Sequence, residues 1–138
     1  MNYKKKAYLD SGVLIAAFRG PEDISQKFLK LLGNEEYEFY VSDAVWMEIF
    51  PKAIYNKSNE EVEFYQAIFD NCIILNWDER NLKEAKTIAK NYGLSAMDAF
   101  HIVFSVHEKI DEFITSETRN KPFFRVKEIK VINQDNLD

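Results

Sequence analysis

Lys6-Ala7-Tyr8-Leu9-Asp10-Ser11-Gly12-Val13-Leu14-Ile15-Ala16-Ala17-Phe18 decides the architecture. A short apolar run closes on an aspartate and is followed at once by a second apolar run too long for a strand. We read a buried strand, Lys6–Asp10, feeding a buried helix, Ser11–Phe18. The same alternation recurs downstream. Gly20-Pro21 breaks the first helix and suits the start of another, with Ile24, Phe28, Leu31 and Leu32 at helical spacing as far as Gly33-Asn34. Glu38–Val41 is a second strand, and Ser42 caps a helix through Trp46 and Ile49 that Pro51 restricts or kinks.

A polar stretch, Asn56–Asn59, precedes a helix through Val62, Tyr65, Ile68 and Phe69. Cys72–Leu75 reads as a buried strand. Asp78–Tyr92 repeats apolar residues at helical spacing and stops at Gly93, and Ser95 opens a helix from Met97 to about His107. Glu112–Thr115 and Glu128–Ile132 are further strands. Strands alternating with helices define an α/β domain with a mostly parallel sheet. The expected organisation is one domain, residues 1–132, and a polar tail, 133–138, that frays.

The 138 residues suit one domain of roughly 150. With 46% of them apolar there is material for a core, which excludes disorder and low complexity. No apolar stretch approaches the roughly 20 residues of a membrane helix, and Lys4–Lys6 lead into only Ala7-Tyr8-Leu9, so no signal peptide is expected. One cysteine, Cys72, excludes an internal disulfide framework. A cytoplasmic location is expected. The net charge of −5 argues against a protein that coats nucleic acid, although Arg119–Val131 holds five basic residues against Glu128.

Four acids stand where a solvated surface does not explain them. In parallel sheets the ligand crevice lies beyond the carboxyl ends of the strands. Asp10 ends the first strand, where it either caps the following helix or enters that crevice. Glu48 is the only acid in Ala44–Phe50, on an exposed stripe or aimed inward. Asp98 forms an S-x-x-D capping pattern with Ser95, which also aims a carboxylate at the crevice. Glu117 follows the strand at Thr115 and alone reads as a loop residue. Carboxylates gathered this way repel one another, and a hard divalent cation that takes oxygen ligands relieves the repulsion and supports phosphodiester displacement.

Tyr8–Ile15, Ser42–Glu48, Leu94–His101 and Ile114–Glu117 together resemble the PIN-domain nucleases, most closely the VapC-type ribonuclease toxins, over essentially the whole chain. The resemblance implies a three-layer α/β/α sandwich with a mostly parallel four- to five-stranded sheet, and Mg²⁺- or Mn²⁺-dependent cleavage of single-stranded RNA. It makes Asp10, Glu48, Asp98 and Glu117 the catalytic and metal-holding acids, with Ser11 and Thr115 supporting them. A small antitoxin protein and a homodimer are implied likewise. Two positions depart from the family pattern: Gly12 replaces an asparagine, and Glu117 an aspartate. They sustain an alternative, a weakened or inactive PIN-like module that binds RNA or a protein partner. An aspartate-nucleophile phosphohydrolase is disfavoured, because such enzymes commonly carry a second aspartate where this chain has Gly12.

Arg119, Lys121 and Arg125 are the candidates for RNA phosphate contact, or else a solvated strand face. His101 is read as a hydrogen-bonded structural residue, His107 as a helix-end residue, and Trp46 and Trp77 as core packing.

Overall fold

The computed structural model describes residues 3–138; Met1 and Asn2, the first two of the expected domain, lie outside them. Five parallel strands form one sheet: β1 (Lys5–Leu9), β2 (Tyr37–Ser42), β3 (Ile73–Leu75), β4 (Glu112–Ile114) and β5 (Val131–Ile132), in the spatial order β3-β2-β1-β4-β5. Six helices connect them: α1 (Ser11–Arg19), α2 (Glu22–Leu32), α3 (Asp43–Tyr55), α4 (Asn59–Asp70), α5 (Glu79–Tyr92) and α6 (Ala96–His107). The result is the three-layer α/β/α sandwich.

β1 is the central strand. Tyr8 lies beside Tyr40 of β2 on one side and Phe113 of β4 on the other. Ala7, Tyr8 and Leu9 are fully buried, because helices cover both faces of a parallel sheet, and the strand therefore reads as an apolar run rather than an alternation. The chain moves outward from β1 in one direction through β2 and β3 and in the other through β4 and β5. The carboxyl end of β1 is thus the switch point where such sheets open a crevice.

Local chemistry sets the helix ends that face this crevice. The Ser42 hydroxyl caps α3 by accepting from the Ala44 and Val45 N–H groups, and Ser95 caps α6 by accepting from the Asp98 N–H. Gly93 stops α5 at φ 68°, a left-handed conformation that glycine adopts without strain. α3 runs on through Pro51, which lies on its exposed side.

Three expectations are corrected. β3 is an edge strand, not a buried one: it ends the sheet among the described residues, and Ile73 and Ile74 are 43% and 45% exposed. The tail does not simply fray after Ile132. Asn133 is fully buried and caps a 3-10 helical turn, Gln134–Asn136, that packs near α2. Trp46 and Trp77 are 40% and 47% exposed; Trp46 stacks on Phe50 and Trp77 packs tilted against Phe100, at the rim of the core. Among the described residues no helix is long and apolar enough to cross a membrane.

Candidate active site

Asp10 leaves β1 at the switch point. Its N–H donates to the Ile114 carbonyl, 3.0 Å, so the backbone is still held between β1 and β4 where the carboxylate begins. It occupies the N-cap position of α1, yet its side chain makes no capping bond. The carboxylate instead accepts from the Thr115 hydroxyl at 2.9 Å and is 7% exposed. Burial pushes its pKa up to about 6; Asp98 and Glu48 add to the rise, and His101 and Thr115 oppose it. Asp10 is therefore buried without serving as the side-chain cap of α1.

Glu48 starts from the exposed stripe of α3, but its carboxylate turns back to the sheet. Oε1 accepts from the Ser11 hydroxyl at 2.5 Å and lies 2.5 Å from His101 Nε2. Partial burial disfavours its charge, but His101 and Ser11 outweigh that and hold the carboxyl below its ordinary range. Asp98, half-buried in the first turn of α6, has its N–H on Ser95 Oγ at 3.4 Å. Burial raises its pKa and Glu48 adds to this, against Ser95 and His101.

His101, one turn along α6 from Asp98, belongs to the site as well. Its ring is fully buried, with Nε2 on Glu48 and 3.8 Å from Asp10 Oδ1, while Nδ1 lies 2.7 Å from the Tyr8 hydroxyl. The Tyr8 hydroxyl in turn sits 2.6 Å from Ser42 Oγ. Burial opposes a charged imidazole, but the bond to Glu48 and the fields of Asp10, Glu48 and Asp98 prevail, and its pKa is raised. One oxygen each of Asp10 and Glu48 and one nitrogen of His101 lie within 4.8 Å of one another. These contacts agree with the expectation of a hydrogen-bonded histidine and place it beside the acids, as its spacing of three from Asp98 on one helix face allows. Tyr8 and Ser42 carried no such sequence signal.

Glu117 stands outside this group of three. Its backbone is well held, the N–H by Thr115 Oγ1 at 3.1 Å and the carbonyl by the Asn133 side chain at 2.9 Å. Thr115 therefore ties the loop after β4 to Asp10. Arg119 and Lys121 are exposed in that loop, whereas Arg125 donates to the Tyr92 carbonyl and closes the C-terminus of α5. These three basic residues lie on a loop and a 3-10 turn rather than a strand face.

A groove of about 180 Å³ opens beside Glu48, with Arg19 and Lys52 on its walls. A larger cavity, about 380 Å³, lies at the opposite end of the sheet among Tyr37, Phe39, Phe64 and Cys72, and holds none of the acids discussed.

A model of the PIN domain matches residues 7–129, and the chain belongs to that family. No curated protein matches it in sequence. Solved structures share its fold at low identity. A chain of the Rickettsia felis VapBC2 structure, bound to a DNA fragment from its promoter, is 14% identical with a TM-score of 0.70, covering 93% of this chain and 98% of that one. FitAcB from Neisseria gonorrhoeae is 20% identical, TM-score 0.66, with coverages of 95% and 99%. VapC20 from Mycobacterium tuberculosis, a toxin that cleaves the sarcin–ricin loop, is 12% identical, TM-score 0.64, with coverages of 78% and 86%.

Proposed function

We propose that this chain is a metal-dependent endoribonuclease that hydrolyses phosphodiester bonds of single-stranded RNA, the toxin of a toxin–antitoxin pair. One observation carries the reading: Asp10 is buried at the switch point, and one of its oxygens lies within 4.8 Å of an oxygen of Glu48 and a nitrogen of His101. Such a cluster is costly unless a cation completes it.

The donor set fits a hard divalent ion, Mg²⁺ or Mn²⁺, since Asp10, Asp98 and Glu48 offer carboxylate oxygens. When bound, that ion supplies charge neutralisation for the phosphate and activates water near neutral pH. The chain's own residues do the rest. Thr115 orients Asp10, and Ser11 and His101 together fix one oxygen of Glu48, so that the other would be available to hold the ion. Glu117, Arg119 and Lys121 line the loop along which RNA would pass, the two cations neutralising backbone phosphates.

A small antitoxin protein and a second copy of this chain are the proposed partners, in keeping with the toxin–antitoxin complexes among its structural neighbours. A cytoplasmic location belongs to the same proposal. The second reading, a weakened PIN module that binds RNA or protein without cutting, draws on the group that can share one ion, which holds Asp10, Glu48 and His101 but neither Asp98 nor Glu117.

Cleavage of labelled single-stranded RNA with Mg²⁺, Mn²⁺ or EDTA, by wild type and Asp98→Asn, separates the two. Metal-dependent cutting that the substitution abolishes establishes the nuclease. Wild type that binds Mn²⁺ by calorimetry but cuts none of a varied RNA panel supports the weakened module, and failure to bind the metal at all overturns the nuclease reading.

A further inference from the structure

We propose that His101 is a positioning residue rather than a metal ligand, its tautomer held from one side by the helix cap of α3 through Tyr8 and from the other by Glu48. The assignment follows from counting protons and lone pairs along one buried chain of contacts. Ser42 Oγ accepts from the Ala44 N–H at 3.2 Å and from the Val45 N–H at 3.4 Å. A hydroxyl oxygen has two lone pairs, so both are taken, and toward Tyr8 it has only its proton to give.

The Tyr8 hydroxyl, 2.6 Å away, therefore accepts from Ser42 and spends its own proton on His101 Nδ1 at 2.7 Å. Nδ1 is an acceptor. The proton of the neutral imidazole then sits on Nε2, where it meets Glu48 Oε1 at 2.5 Å. Running the chain backwards would place three donors on the Ser42 oxygen and leave its own proton with no acceptor. Three of the four side chains are anchored deep in the fold: Tyr8, Ser42 and His101 are each fully buried, and Tyr8 packs between His101 and Phe113.

The consequence concerns the acids. With its proton on Nε2, the nitrogen nearest Asp10 and Glu48 has no lone pair for a cation. The ring instead fixes the Glu48 carboxylate and faces Asp10 from 3.8 Å, which is the work of an outer-shell partner on a metal-holding acid. Of the three groups close enough to share an ion, two remain as ligands. This rests on the nuclease reading only where metal affinity is concerned.

The chain has two histidines, so long-range ¹H–¹⁵N spectra of the full-length protein labelled at histidine resolve the point, with His107→Gln assigning the other ring. In metal-free protein, titrated upward until the ring is neutral, we expect a bare Nδ1 and a protonated Nε2. Addition of Mg²⁺ leaves the Nε2 proton in place. Tyr8→Phe, which keeps the ring and loses the hydroxyl, leaves Nδ1 without its donor while Glu48 still holds the Nε2 proton, and it weakens Mn²⁺ binding in calorimetry by about 10- to 100-fold. His101→Gln can still offer an N–H to Glu48 and retains more Mn²⁺ affinity than His101→Asn, which is too short to reach it.

A neutral ring protonated on Nδ1, loss of the Nε2 proton on adding Mg²⁺, or equal loss of Mn²⁺ binding in the Gln and Asn variants overturns the assignment. Wild type that binds no Mn²⁺ defeats the nuclease reading instead, and the tautomer is then judged on the metal-free spectra alone. Should Tyr8→Phe fail to fold, those spectra and the His101 pair still decide.

Discussion

Gly12 and Ser116 occupy one space: a methyl group added at position 12 would overlap the Ser116 hydroxyl oxygen, beside the Asp10 carboxylate. The absence of a side chain at position 12 is thus matched by a hydroxyl arriving from the loop after β4. Gly12→Ala is expected to force the Ser116 hydroxyl into another rotamer, at a cost of about 1 kcal/mol or less net of alanine's better helix propensity. In a Ser116→Ala background the overlap is gone, and the same change becomes neutral or stabilising. Urea denaturation of the four proteins in the cycle checks this, and additive effects would refute the shared space.

The buried Asp10 makes a pH prediction for the metal-free protein. Its folded pKa, about 6, exceeds the unfolded value, so the native state binds the extra proton. Below the unfolded pKa the group contributes nothing to the pH dependence. Between about pH 4 and pH 6 the folded form must give up a proton that the unfolded chain has already lost, and stability falls as pH rises. The drop is on the order of 3 kcal/mol. Asp98 and Glu48 raise this pKa, while His101 and Thr115 lower it, so the test is a difference. Relative to wild type in EDTA, Asp10→Asn gains stability across that window; parallel denaturation midpoints from pH 4.5 to 7 would sink the prediction.

Asn133 joins the tail to the site. Its side chain donates to the Glu117 carbonyl and accepts from the Asp135 N–H, both at 2.9 Å, in a fully buried position. Asn133→Ala leaves that carbonyl without its donor and should cost about 1–3 kcal/mol. A chain ending at Ile132 should lose as much, while one ending at Asn136 keeps the turn. Thermal melts of the three proteins measure this.

Ser42→Ala removes both the cap of α3 and the partner of a buried tyrosine hydroxyl. An expected loss of about 2–4 kcal/mol follows. Ser95→Ala, which loses a longer capping bond on an exposed residue, should cost about 1 kcal/mol or less. Equal losses in chemical denaturation would mean that the Tyr8 contact contributes nothing.

The helices and the central strand were legible because their signals are local. An apolar run closing on Asp10, a glycine after Tyr92 and hydroxyls before α3 and α6 each act within a few residues. Edge status is not local. The Cys72–Leu75 run looks the same whether or not another strand lies beyond it, and so β3 was read as buried. The tail misled for a similar reason: Asn133 looks polar and free in sequence, and only the loop after β4, folded against it, supplies its partner. At the site, acids following strands were visible from their placement. The Ser42–Tyr8–His101–Glu48 connection was not, since its members come from two strands and two helices and meet only across the sheet.

The pairing of β1 with β4 has a temporal side. Asp10 receives its hydrogen bond from Thr115, 105 residues later in the chain, and its backbone N–H rests on Ile114. Loop closure over that distance must precede the contact. During synthesis the first acid therefore emerges long before the residue that orients it. A ribosome-bound chain that has not yet released β4 carries Asp10 and Glu48 but no finished crevice, so whatever chemistry the site performs is withheld from the nascent polypeptide until its last strands are out.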